Sequence, residues 1–177
     1  MNLKKISLEN LAGLVSQKLQ EHGIDNILVG GACVSIYTQN LYQSYDLDFI
    51  TYESMKNIEK ALEELDFKRK GNAFTHRDCK FFIEFVSPPV AIGHEPIEKF
   101  HHHKTPIGTI KMLTATDSVK DRLASFYHWR DTQSLDQAIL ICQDRSNDVK
   151  MHELKTWSEK EGFSTQYQEF RKKLLGG

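Results

Sequence analysis

The chain is poor in the residues that staple or span. Among its 177 residues only three are cysteine (Cys33, Cys79 and Cys142), odd in number, widely spaced and free of any Cys-x-x-Cys pair. That usage argues against a disulfide framework and against a thiolate zinc site. It implies reduced thiols in a reducing cytoplasm. Proline is scarce, at four. No apolar run approaches the roughly 18 residues of a membrane-spanning helix, and the start, Met-Asn-Leu-Lys-Lys, leads into an amphipathic segment and not into a signal-peptide core; no membrane partner is expected. An excess of either charge is also missing: 23 Lys and Arg stand against 24 Asp and Glu, a net −1. This excludes a wholly basic nucleic-acid coat and an acidic disordered tail. A chain of this length buries about 70% of its unfolded surface and needs no staple.

What is present reads as alternating elements. Leu8, Leu11, Leu14, Val15 and Leu19 recur at helical spacing behind a Ser7 cap, and Gly23 stops the helix. Ile27-Leu28-Val29 is a short buried strand broken by Gly30-Gly31, after which 32–40 reads as a short helix. Residues 45–50 alternate polar and apolar as a half-buried strand does. Met55, Ile58, Leu62 and Leu65 give a helix capped by Ser54. Strands are expected at 67–70 and 79–86, with Gly71-Asn72 as the turn between them, and at 107–113; the stretch from 87 to 105 is read as irregular. Helical spacing returns after that. The expected class is α/β: residues 1–113 form a small mixed β-sheet with flanking helices, and 114–177 form a C-terminal helical region.

The chemistry concentrates in three acids. Asp46 and Asp48, at i and i+2 on a strand, share one face with Cα atoms about 6–7 Å apart, while Leu47 and Phe49 face the apolar side. Glu84 is the single acid in Phe81-Phe82-Ile83-Glu84-Phe85-Val86. An acid inside a strand is costly unless it is paired, hydrogen-bonded or metal-bound. Three of them on neighbouring strands make an oxygen-rich site suited to Mg²⁺. Gly30-Gly31, between a strand and a helix, lets the backbone approach a phosphate. Ser44, two residues before Asp46, is expected to offer its hydroxyl to phosphates or to orient a carboxylate.

That order of strand, Gly-Gly, short helix, Asp-x-Asp strand, helix and acidic strand resembles the nucleotidyltransferase superfamily with a DNA polymerase β-like core. Val29-Gly30-Gly31-Ala32-Cys33-Val34 with Ser44-Tyr45-Asp46-Leu47-Asp48-Phe49 is similar to the minimal bacterial nucleotidyltransferases, including abortive-infection, toxin–antitoxin relatives. The resemblance spans residues 24–86, and more loosely 114–141. It implies transfer of a nucleoside monophosphate from an NTP such as ATP to an acceptor hydroxyl on RNA (a tRNA end, for example), a protein or a small molecule, with release of pyrophosphate. Asp46 and Asp48 would bind Mg²⁺ or Mn²⁺, with Glu84 as third ligand or general base. Gly30, Gly31 and Ser44 would meet the nucleotide phosphates. Lys120, Arg122, Arg130 and Asp131 would supply triphosphate contacts or cleft ion pairs. The alternative is a non-catalytic nucleotidyltransferase-like binding or toxin–antitoxin module. The interval from Gly31 to Asp46 is long for the family, and Glu stands where Asp is commoner at the third position.

Two further segments carry expectations. Asp117 reads as a helix N-cap. His101-His102-His103 reads as a polar, mobile loop and not as a metal site. Charge is segregated although the total cancels. Residues 45–66 hold seven acids against two lysines, whereas 67–80 hold five basic residues against one acid. A local footprint for a phosphate-rich partner therefore survives the net −1.

Overall fold

The structure, a computed structural model, describes residues 3–176. A short 3₁₀ turn (Leu3–Lys5) precedes α1 (Leu8–Glu21), where the Ser7 hydroxyl accepts the Asn10 amide at 3.2 Å. Then come β1 (Ile27–Val29), α2 (Gly30–Tyr37), β2 (Asp46–Ile50) and α3 (Met55–Glu63), the last capped by Ser54. Three strands follow: β3 (Lys68–Lys70), β4 (Ala73–Thr75) and β5 (Phe82–Val86). A two-residue ribbon, β6 (Ala91–Ile92) and β7 (Glu95–Pro96), leads to β8 (Phe100–Lys104) and β9 (Thr109–Leu113). Past Leu113 the described chain is helical: α4 (Ala115–Trp129), α5 (Thr132–Asp144), α6 (Met151–Lys160) and α7 (Ser164–Leu175). None of the described helices is long and apolar enough to cross a membrane.

The expected α/β class holds. Seven strands form one mixed sheet in the order β3-β4-β5-β2-β1-β9-β8. β2 runs antiparallel to β1 and parallel to β5, and β1 runs parallel to β9. Leu47, Phe49, Ile83 and Phe74 are almost fully buried on one face of the sheet, where alternation sends every second side chain. Helix α1 packs on β9 and α3, and α3 packs on β3. The acids of β2 and β5 consequently lie on the other face.

Three expectations are corrected. Gly71-Asn72 does turn the chain, but into an additional strand, β4, which pairs with both β3 and β5. Its three residues are too few to show a period. The histidine tract is no loop: it is the edge strand β8, with His101, His102 and His103 opposite Met112, Lys111 and Ile110. The free edge of β9 needs backbone partners, and polar side chains suit an outermost strand. His103 Nε2 lies 2.6 Å from Glu9 Oε1 of α1. The cap of α4 is Thr114, whose hydroxyl accepts the Asp117 amide at 3.1 Å. The Asp117 carboxylate sits three residues in and accepts a hydrogen bond from the Thr114 hydroxyl in return, at 2.8 Å.

Candidate active site

Strand register builds the site. Asp48 lies opposite Glu84 in the parallel β2–β5 pair, and Asp46 lies opposite Phe82. Because register partners share a face, Asp46, Asp48 and Glu84 all project from the same side of the sheet. All three are half-buried. The Ser44 hydroxyl donates a short hydrogen bond to Asp46 Oδ1, and the Ser44 amide is itself held by Ser35 Oγ at 2.8 Å.

Asp48 carries the electrostatic load. It makes no hydrogen bond and no ion pair with any described residue. Burial, with the nearby charges of Asp46 and Glu84, raises its pKa to about 7, and Arg122 opposes that rise. The backbone opposite it is tight. Gly30 has φ of +69°, a conformation glycine adopts without strain, and a Cβ built there would come within 2.6 Å of Asp48 Oδ2. A Cβ on Gly31 would lie 3.1 Å from Ser44 Oγ. The Gly-Gly pair therefore lies directly against the acids at the start of α2, whose N-terminus carries no side-chain cap. Unpaired amides there favour an anion.

A cleft of about 310 Å³ opens beside Asp48, lined by Gly30, Asp48, Val86, Pro89, Asp121 and Arg122 among others. Arg122 places its guanidinium 2.6 Å from Asp121 Oδ2 and 3.4 Å from Gln137 Oε1. Burial opposes the charge of Arg122, but Asp121, its hydrogen bonds and Asp48 outweigh that and raise its pKa. Arg122 is thus a fixed cation facing the acids. The other predicted cations are held elsewhere. The buried ammonium of Lys120 is engaged by Glu95 of β7 and lies 3.5 Å from Asp117. Arg130 is exposed, lies 2.8 Å from Glu169 of α7 and does not line the cleft. Asp131 caps α5, accepting the Gln133 and Ser134 amides. Helical spacing alone does not separate Arg122 from Lys120, because the partners that distinguish them come from remote elements.

Two cleft contributors escaped the sequence reading: Asp121 as the partner of Arg122, and the segment from Ser87 to Ile97, which walls the cleft through Pro89, Val90, Ile92 and Ile97. The signal for the latter was present in its apolar residues, but two-residue strands leave no period to read.

Among the described residues no group of three or more His, Cys, Asp and Glu side chains could by itself hold a metal ion. Mg²⁺, however, is commonly bound through one or two carboxylates, with substrate phosphates and waters completing its shell. Two half-buried strand carboxylates on one face, of which Asp48 has no hydrogen-bond donor among the described residues, fit that use.

Comparison with known proteins agrees with this geometry. Residues 7–78, which include Gly30-Gly31, Ser44, Asp46 and Asp48, match the family described as nucleotidyl transferase of unknown function (DUF2204). No curated protein matches the chain. Among solved structures, the chain is similar to an antigenic nucleotidyltransferase-like protein from Paracoccidioides brasiliensis. There the TM-score is 0.59 at 12% identity, covering 91% of this chain and 92% of that one. It is also similar to the antibiotic-resistance factor ANT(2'')-Ia, with TM-score 0.50 at 11% identity, covering 99% and 96%. The fold is that of nucleotidyltransferase-like proteins.

Proposed function

We propose that the chain transfers a nucleoside monophosphate from an NTP to an acceptor hydroxyl, releasing pyrophosphate, in a reaction that depends on Mg²⁺ or Mn²⁺. The observation that carries this reading is the row formed by Asp48 and Glu84, with Asp46 on the same face and Gly30 packed against Asp48. Asp46 and Asp48 would hold the divalent ion, which when bound supplies positive charge to the triphosphate and its leaving group. Ser44 fixes the Asp46 carboxylate through its hydroxyl. The amides at the start of α2, freed from side chains at Gly30 and Gly31, donate hydrogen bonds to the phosphate oxygens. Glu84 stands beside Asp48 as the base that takes the proton of the acceptor hydroxyl. Arg122 faces the charge that develops on the departing phosphates, and Asp121 and Gln137 hold its guanidinium in place. Lys120 and Arg130 are left out of this assignment because Glu95 and Glu169 already engage them.

The test is label transfer from α-labelled NTPs, with Mg²⁺ or Mn²⁺, to RNA, protein and small-molecule acceptors presented separately. The expected result is label on one acceptor class, lost by 100-fold or more, on the order of 3 kcal/mol of transition-state stabilisation, in Asp46→Asn and Asp48→Asn. Equal behaviour of wild type and both variants under every condition would overturn the reading.

A further inference from the structure

We propose that the β3–β4 edge of the sheet is a binding track for the phosphodiester backbone of a single-stranded nucleic acid, leading its hydroxyl to Asp46, Asp48 and Glu84; this inference rests on the transfer reading and names its acceptor class.

Register carries the argument. Lys70 lies opposite Ala73, Ala73 opposite Glu84, and Glu84 opposite Asp48. These four residues form one row across four adjacent strands. Lys68 lies opposite Thr75, two residues along the same strands. Since partners in a row share a face, Lys68 and Lys70 project from the same side as the three acids. Three strand spacings of about 4.8 Å put the Lys70 backbone about 14 Å from that of Asp48. The intervening strip, Glu84, Phe82, Ala73 and Thr75, is half-buried and not covered by the core.

The two lysines are exposed and form no ion pair with a described residue. Arg69 between them points to the opposite face and is spent on Glu59 of α3, at 2.8 Å. A groove of about 480 Å³ runs along this edge, lined by Lys68, Lys70, Thr75, His76 and Arg77, with Asp66 as its one acid among the described residues. Arg77 is strongly exposed, with Asp78 at 3.2 Å. Unpaired cations spaced along one sheet face are what the phosphodiester backbone of a single strand requires. A polycationic small acceptor would meet repulsion on the same path.

Binding is measured by fluorescence anisotropy of a short labelled single-stranded RNA across a salt series, without NTP. The double variant Lys68→Gln/Lys70→Gln is expected to bind about tenfold more weakly. Its slope of log affinity against log salt should be shallower by about 1.4, which is two phosphates at about 0.7 each. Lys68→Arg/Lys70→Arg restores binding, and Lys155→Gln/Lys172→Gln leaves it unchanged. Asp46→Asn/Asp48→Asn, which the transfer reading requires to be inactive, still binds the RNA. Failure of label transfer with lysine-dependent RNA binding intact would strike the transfer reading and leave the track. The track is overturned if wild type does not bind RNA, if the lysine double variant binds with unchanged affinity and slope, or if polyglutamate displaces the RNA as well as unlabelled RNA does.

Discussion

Asp48 concentrates the residue-scale physics. Its carboxyl is charged at neutral pH only at a cost, because burial and two neighbouring carboxylates oppose ionisation. The sign follows from linkage. The folded-state pKa of about 7 lies above the roughly 4 of an unfolded aspartate. Between those values the folded protein keeps a proton the unfolded chain has lost, so stability falls as pH rises through that window and levels off above it. In buffer free of divalent cations, Asp48→Asn should therefore stabilise the protein at pH 8 by on the order of 1–4 kcal/mol while abolishing transfer. Urea unfolding at pH 4 and pH 8 checks this: the gain must shrink toward pH 4, and an equal gain at both would contradict it. Gly30 gives a second prediction. Gly30→Ala strains a positive φ and drives a methyl onto the Asp48 carboxylate, so it should cost about 1–3 kcal/mol and lose activity, read by thermal melts and label transfer. Gly31→Ala, at 3.1 Å from a Ser44 hydroxyl, should be the milder of the two.

At the scale of elements, α4 sorts its cations by what packs against each turn. Lys120 ties α4 to β7 through Glu95, whereas Arg122, two residues on, faces the cleft. Lys120→Met should lower the melting temperature and change the NTP KM little. Arg122→Gln should raise KM or lower kcat by about 10- to 100-fold, in the range of one lost charge-assisted contact in a cleft. Steady-state kinetics on folded variants separates the two outcomes. The same scale explains which elements were legible beforehand. Helices with caps and full periods, such as α1 behind Ser7 and α3 behind Ser54, could be read directly. The strands β4, β6 and β7 hold two or three residues each and are specified by partners, not by pattern. The histidines of β8 form a strand because β9 offers an edge, and nothing within the tract announces it.

Across the whole molecule, the helices after Leu113 pack onto the sheet layer and onto one another. Helix α4 contacts α2, α5, α6 and β9, and α5 in turn contacts α7. Phe170 of α7 is fully buried, and the Tyr127 hydroxyl lies 2.8 Å from Ser158 Oγ of α6. Phe170→Ala should cost about 3–5 kcal/mol and shift a single unfolding transition without splitting it, as calorimetry and circular dichroism on the same sample would show. By itself, the sequence determined the alternation of strands and helices, the shared face of Asp46 and Asp48, and the Gly-Gly break, because each rests on backbone periodicity and local sterics. The tertiary structure alone decided that Glu84 stands opposite Asp48, that Arg122 and not Lys120 or Arg130 faces the acids, and that Lys68 and Lys70 share their row and face. Those are matters of register and of partners distant in the chain, which short-range spacing does not encode. The sequence already segregates the charge behind the near-zero total into an acidic and a basic segment; the fold then sets acids at the centre of one sheet face and the lysines Lys68 and Lys70 at its edge.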